Sequence, residues 1–386
     1  MLTPHTPQEL AEALAGAAGH GRTILLRGNT SKNRMAGPLE SAEEEISTNG
    51  LCRVLQYEPN DLTISVEAGM RWRELQRLVG EHRQMVPLDP PFAETATVGG
   101  VLAANSSGPR RRLYGTARDL VIGMRFATVQ GKVVDSGGMV VKNVAGLDMG
   151  KLMIGSFGTL AAIAVANFKL VPMPQAERSL LLPFDSAATA IAARDRILKG
   201  VLQPAAIDLW NPAAGATIGN PTWILALRAG GSAAAVERYE RDLAPLADGV
   251  AFNGERHERL WRHIEEFTPQ FLAKHADGAV VRVSCTLKEV EAVMASFAGP
   301  AVARAASGVC YGYFEACDGV AEWLGDAVRR GWRVVVEFAP EGRKRTLDLW
   351  PSPPFTNAPE LELMRRVKAL FDPSNLLNRG RLYGRI

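Results

Sequence analysis

PLDPPFAETATVGGVLAANSSGPRRRLYGTARDLVIG (residues 87–123), followed by GGMVVKNVAGLDMGKLMIGSFGTL (residues 137–160), is the stretch on which the reading of this chain turns. Small residues gather there in three short runs: Thr97-Val98-Gly99-Gly100, Asn105-Ser106-Ser107-Gly108 and Gly155-Ser156-Phe157-Gly158. Glycine lets a backbone come close to a ligand and aim successive N–H groups at it. Three such loops folded together can cradle a pyrophosphate without a dinucleotide-binding Gly-x-Gly-x-x-Gly sequence. Each run alone equally suits close helix packing, so the weight lies in their order.

Upstream, an apolar strand over Thr23–Leu26 leads into Arg27-Gly28-Asn29-Thr30-Ser31-Lys32. Glycine permits close approach, the amide and hydroxyl side chains can bond phosphate oxygens, and Lys32 adds charge. A plain polar turn between strand and helix uses the same residues, and short motifs of this kind recur without function. A second strand, Leu62–Val66, ends at Ala68-Gly69 and precedes a helix over Trp72–Glu81. Val98–Ala104 reads as a short helix beginning at the paired glycines, where unpaired amides favour an anion. Leu120–Val129, Val133–Asp135 and Ala161–Leu170 alternate like sheet strands. An N-terminal helix spans residues 7–19.

Val171-Pro172-Met173-Pro174 punctuates the chain and sets a boundary, giving domains at 1–174 and 175–350 with a C-terminal segment at 351–386. In the second domain, strands at Leu180–Pro183, Trp223–Leu227, Ala279–Val283 and Arg333–Phe338 interleave with helices at Ala187–Lys199, Ala233–Leu243, Glu255–Leu272 and Val320–Arg330. That suits an α+β layer on an antiparallel sheet. A last helix, Glu360–Phe371, places Leu361, Met364, Val367 and Phe371 on one face.

With 386 residues, 47% hydrophobic and 22% charged, the chain has the composition of a globular protein of two or three domains. A net charge of +3 points to neither nucleic acid nor an anionic membrane surface. The N-terminus carries Glu9 and Glu12 and has no basic-then-apolar signal pattern, and the longest apolar runs are far short of a bilayer span. A cytoplasmic protein is expected, with peripheral membrane association only through a partner. The four cysteines, Cys52, Cys285, Cys310 and Cys317, have no Cys-x-x-Cys spacing. They read as buried free thiols and cannot hold an iron–sulfur cluster. His257 and His263 fall on different sides of a helix, and the other histidines are scattered, so no metal is expected. Arg343-Lys344-Arg345 reads as a solvated basic loop.

Together, ILLRGNTSK (24–32), TISVEAGMRWRELQ (63–76), the TVGG–NSSG–RRRLYGTARD block, KNVAGLDMGKLMIGSFGTL and the closing FDPSNLLNRGRLYG (371–384) resemble the FAD-binding half of the vanillyl-alcohol oxidase / p-cresol methylhydroxylase superfamily. Within it, the chain resembles the smaller FAD-binding subunit of bacterial glycolate oxidases. The likeness is dense over residues 24–172 and clear over the tail.

The resemblance implies a two-lobed p-cresol-methylhydroxylase-type FAD-binding domain beside an α+β cap with an antiparallel sheet. It also implies non-covalent FAD held by Arg27, Gly28, Asn29, Thr30, Ser31, Lys32, Pro90, Thr97, Val98, Gly99, Gly100, Ser106, Ser107, Gly108, Gly115, Arg118, Asp119, Gly155, Ile163 and Asn378. Arg118 has a second reading, pairing with Asp119 on a surface loop. Leu147 stands where relatives usually carry tyrosine, Phe157 where catalytic relatives carry glutamate, and Arg379 where proline usually follows asparagine. The C-terminal histidine segment of catalytic 2-hydroxy-acid enzymes is missing. The implied role is an electron-relaying subunit in the oxidation of glycolate, a small 2-hydroxy acid, to glyoxylate, partnered by a catalytic flavoprotein subunit and an iron–sulfur subunit. Two alternatives stay open: a self-sufficient D-lactate-type dehydrogenase, and a flavin-free scaffold that keeps the fold.

Overall fold

The computed structural model describes residues 1–139, 148–351 and 359–386, and it divides the chain into two compact units. The first comprises Met1–Ser107, Gly115–Met173 and Thr356–Ile386; the second comprises Gly108–Tyr114 and Pro174–Phe355. The Arg110–Arg112 stretch thus groups with the second unit.

In the first unit the helix Pro7–Gly19 begins where Thr6 accepts the Glu9 amide and proline occupies the first turn, both ordinary helix-start devices. It buries Leu10, Ala11, Leu14 and Ala17. These side chains join Ile24, Ile46, Leu51, Ala162, Ala164, Leu376 and Leu377 in one core, so the two ends of the chain share a hydrophobic cluster. Strand Ile24–Arg27 pairs in parallel with Glu44–Ser47, Leu26 opposite Ile46. The C-terminal segment adds to the free side of the same strand: Ile24 N–H donates to Leu376 O at 2.8 Å, and Asn378 N–H donates to Ile24 O at 3.0 Å.

A five-stranded antiparallel sheet follows in the order Val54–Glu58, Thr63–Glu67, Ala162–Lys169, Val121–Ala127, Val133–Gly137. Its central strand, Ala162–Lys169, does not alternate as its sequence suggested: it is buried throughout Ala162–Ala166 and again at Phe168, with only Asn167 and Lys169 partly exposed. Helices Trp72–Gly80 and Val98–Ala103 contribute Trp72, Leu75, Val79, Val98, Val101 and Leu102 to the core on this sheet.

The second unit carries an eight-stranded antiparallel sheet. Its order is Val250–Phe252, Ala176–Phe184, Trp223–Gly231, Ala206–Trp210, Ala301–Arg304, Val309–Phe314, Ala279–Ser284, Arg333–Phe338. Helices such as Ala187–Lys199, Ala233–Leu243 and Val320–Arg329 pack on it. This is the α+β architecture with an antiparallel second layer.

Several sequence expectations are corrected. The single helix over Glu255–Leu272 is two, Gly254–Glu265 and Phe267–Lys274, and Pro269 in the first turn of the second marks the restart. In the helix Pro359–Phe371, Val367 and Phe371 of the expected apolar face pack on the core, but Met364 is exposed and the residue buried beside them is Lys368. The Arg343–Arg345 loop is not simply solvated: Lys344 is buried against Glu341 at 3.0 Å, and Arg343 makes paired 3.0 Å bonds to Asp277. Cys52 is exposed, whereas Cys310 and Cys317 are buried as free thiols. The Lys142–Leu147 reading, and residues 352–358 of the C-terminal segment set at 351–386, lie outside the described residues. Among the described residues no helix is long and apolar enough to cross a membrane.

Candidate functional site

Strand Ile24–Arg27 runs into the loop Gly28–Lys32, which forms one wall of a cavity of about 960 Å³, measured to its open mouth. Thr97, Gly99, Gly100, Ala103 and Ala104 line it too, together with Phe157, Gly158, Ala161 and Ile163, and with Asn378 and Arg381 from the tail. Four segments far apart in sequence therefore meet at one space.

The Gly28 loop presents backbone donors. No N–H of Asn29, Thr30 or Ser31 donates to an acceptor among the described residues. Thr30 sits in the left-handed region at φ +57°, a conformation that turns neighbouring N–H groups toward a common point. The Asn29 side chain instead holds Thr95 O at 2.9 Å, and the Arg27 guanidinium pairs with Glu45 at 2.8 Å. Lys32 is buried, its Nζ 5.9 Å from the Phe92 ring centre.

The paired glycines work differently from the expected helix-end anion site. Val98 N–H donates to Met70 O at 2.9 Å, Gly99 N–H to Ala68 O at 2.7 Å, and Gly100 N–H to the capping Thr97 Oγ1 at 3.2 Å. These donors are already taken. The glycines instead allow closeness: a methyl on Gly28 would lie 2.5 Å from Thr97 Oγ1, and one on Gly99 would lie 2.9 Å from the Ala68 Cβ.

Asn378 fastens the tail to the cavity. Its Oδ1 accepts Leu26 N–H at 2.7 Å, and its Nδ2 donates to Leu26 O at 3.2 Å and to Phe157 O at 2.8 Å. Arg381 reaches the carbonyls of Lys32 (2.9 Å), Gly37 (2.5 Å) and Met35, shaping the loop after Lys32. Phe157 holds φ +53°, donates its N–H to Ala103 O at 2.9 Å, and meets Tyr383 edge-on at 5.7 Å. A bulky residue in the left-handed region stays there only because its surroundings fix it.

Of the residues expected from sequence, Arg27, Gly28, Asn29, Thr30, Ser31, Lys32, Thr97, Gly99, Gly100, Ile163 and Asn378 line this cavity. Pro90, Val98, Ser106, Ser107, Gly108, Gly115, Arg118, Asp119 and Gly155 do not. Ser106 is buried, and its Oγ has no hydrogen-bond partner among the described residues. Gly108 belongs to the second unit. Arg118 donates to Lys151 O at 2.8 Å, and among the described residues it makes no ion pair with Asp119. Asp119 caps the turn at Thr116, whose N–H bond to the carboxylate, despite partial burial, holds that carboxyl below the usual range. Sequence reading missed Leu25, Leu26, Thr48, Ala103 and Ala104, and it did not assign Arg381 to the site. Among the described residues, no three His, Cys, Asp or Glu side chains gather where they could hold a metal.

Residues 1–137 match the family described as FAD binding domain, and residues 354–382 match the C-terminal domain of FAD linked oxidases. The chain carries an FAD-binding domain.

The chain is 33% identical over 174 residues to glycolate oxidase subunit GlcE of Escherichia coli, covering 45% of this chain and 49% of that protein. It is 29% identical to glycolate oxidase subunit GlcD of Bacillus subtilis, covering 54% and 44%. It thus spans about half the length of these two curated relatives. A D-2-hydroxyglutarate dehydrogenase of Xanthomonas citri pv. viticola is 27% identical, covering 97% of this chain and 85% of that one. In fold, a solved alkyldihydroxyacetonephosphate synthase superposes with a TM-score of 0.73 at 18% identity, over 97% of this chain and 76% of that one.

The cavity suits FAD. The open amides of the Gly28 loop and the cationic Lys32 match a pyrophosphate, and Leu25, Leu26, Ala103, Ala104, Phe157, Ala161 and Ile163 offer apolar surface to rings. Among the described residues, no Cys, His or Tyr lines the cavity.

Proposed function

We propose that this chain is an FAD-dependent oxidoreductase subunit acting in the oxidation of glycolate or a similar small 2-hydroxy acid. It would pass electrons within a complex and leave the main substrate site to a sister flavoprotein. The observation that carries this reading is the ionisable lining of the cavity. Arg27, Lys32 and Arg381 are all cations, suited to holding an anionic cofactor, whereas taking a proton from a substrate hydroxyl calls for a base.

Bound FAD supplies the two-electron chemistry. The chain's own contribution is positional. The Gly28 loop and Lys32 bind phosphate charge, Asn378 and Arg381 fix the loops around it, and the apolar walls keep water from the rings. Electrons accepted here need an outlet. An iron–sulfur subunit and a catalytic flavoprotein subunit are the proposed partners, in keeping with the glycolate oxidase subunit names of two relatives. A cytoplasmic location, with any membrane association peripheral, completes the proposal.

A second reading, a self-sufficient 2-hydroxy-acid dehydrogenase, is favoured by the near full-length match to the D-2-hydroxyglutarate dehydrogenase. An anaerobic absorption spectrum of the purified chain separates the two. Flavin bands that persist on adding glycolate and then D-lactate support the relay subunit; bleaching by either acid alone establishes the dehydrogenase.

A further inference from the structure

Lys368 is a lysine where the amphipathic pattern calls for no buried charge, yet it is 6% exposed. Its ammonium has three donors, and all three are used: Thr159 O at 2.7 Å, Leu377 O at 3.0 Å and Asp372 Oδ2 at 2.5 Å. Asp372 is 1% exposed and accepts in turn from Leu376 N–H at 3.0 Å and Leu377 N–H at 2.8 Å. Thr159 directly follows Phe157 and Gly158, which line the FAD cavity, and Leu377 directly precedes Asn378, which also lines it. One ammonium therefore ties together two segments that line the cavity.

Burying this ion pair has a cost that apolar side chains of the same volume would avoid. Burial draws Lys368 below its ordinary pKa range even against the pull of Asp372. What the charge provides and an apolar side chain does not is direction: three fixed bonds that set the spacing of Thr159 and Leu377. That spacing governs whether Asn378 Nδ2 reaches Phe157 O, now at 2.8 Å, and so whether the two segments stand where the cofactor needs them.

We propose that Lys368, with Asp372, is a positioning residue for the FAD cavity, fixing the Phe157–Thr159 loop and the Leu376–Asn378 segment in the arrangement that FAD selects. The coupling is reciprocal, so FAD in turn tightens the tail.

The test is a Lys368→Met, Asp372→Asn double variant, which removes both charges together and strands neither. Among folded molecules, confirmed by circular dichroism, FAD should bind roughly tenfold more weakly, and the visible flavin spectrum should differ from that of the wild-type holoprotein. A folded variant with wild-type FAD affinity and spectrum overturns the proposal. The wild-type chain provides a second, independent arm. Hydrogen exchange of the Leu376 and Leu377 amides should slow when FAD is added to apoprotein, and exchange indifferent to FAD overturns the proposal even if the variant does not fold. A wild-type chain that takes up no FAD would instead count against the cofactor assignment itself, a result visible before any variant is made.

Discussion

Asn378 and Leu26 exchange two hydrogen bonds as neighbouring strand residues do, but one partner is a side chain: Leu26 N–H reaches Asn378 Oδ1 at 2.7 Å, and Leu26 O receives Asn378 Nδ2 at 3.2 Å. The carboxamide mimics a peptide group and continues the edge begun at Ile24. Asparagine also tolerates the left-handed backbone found here, φ +41°. Asn378→Ala leaves the Leu26 and Phe157 groups without their partner and adds backbone strain. It should cost about 2–3 kcal/mol of stability and weaken FAD binding, read by thermal denaturation and by FAD titration. An unchanged FAD affinity would mean that the tail is only a fastening.

Gly37 gives a second test of the tail. A Cβ there would lie 1.9 Å from Gly380 O and 2.7 Å from Gly384 N, both backbone atoms that cannot swing aside. Gly37 N–H also donates to Arg381 O at 3.0 Å. Gly37→Ala should displace the segment after Asn378 and destabilise the chain by roughly 3 kcal/mol or more. Tryptic cleavage after Arg379 and Arg381 should accelerate, which mass spectrometry of timed digests would record.

Gly28 tests the cofactor wall itself. Its Cα faces Thr97, so Gly28→Ala pushes a methyl to 2.5 Å from the Thr97 Oγ1 that caps the helix Val98–Ala103. Either the cap breaks, a loss of about 1 kcal/mol, or the loop withdraws. In both cases FAD affinity should fall while the second unit is untouched. Equilibrium dialysis with FAD, alongside a Thr97→Ser control that keeps the hydroxyl, measures it. Equal affinity in Gly28→Ala and wild type would remove the Gly28 loop from the site.

How far the sequence discloses this arrangement depends on what each residue type can signal. The Gly28 loop was legible because a strand ending in glycine and small polar residues has few other uses once the later glycine runs follow in order. The Gly99-Gly100 pair was legible as a position and misread as a mechanism. Glycine for close packing, here on Ala68, and glycine for ligand approach leave the same mark. Strand Glu44–Ser47 was missed because EEIS shows no alternation; its place comes from parallel pairing with Ile24–Arg27. Ala103 and Ala104 reach the cavity as the end of a helix, and alanine carries no functional signal. Lys368 was hidden most completely, since a lysine in a helix reads as solvent-facing, and its burial is made tolerable by Asp372 one turn on, by Leu377 O and by Thr159 O from a distant segment.

The second unit holds a titratable group whose behaviour can be forecast. His257 is 3% exposed; its Nδ1 shares a 2.9 Å hydrogen bond with Ser179 Oγ, which also accepts the Trp261 indole N–H at 3.0 Å. Glu177, whose own burial is overridden by the Arg228 guanidinium, is held below the usual carboxylate range and lies 3.7 Å from His257 Nε2. Burial first, and then the nearby Arg228, depress His257 to about 4 from an unfolded value of 6.5, outweighing the opposing pull of Glu177. The folded ring is therefore neutral where the unfolded ring takes up a proton. Its effect on stability is nil above pH 6.5, and stability falls as pH drops from 6.5 toward 4, by up to about 3 kcal/mol. Denaturant titrations at a series of pH values should show that decline, and His257→Gln should flatten it while lowering stability at neutral pH. A ring signal assigned to His257 by its loss in His257→Gln that titrates near 6.5 in the folded chain would contradict this account of the buried cluster.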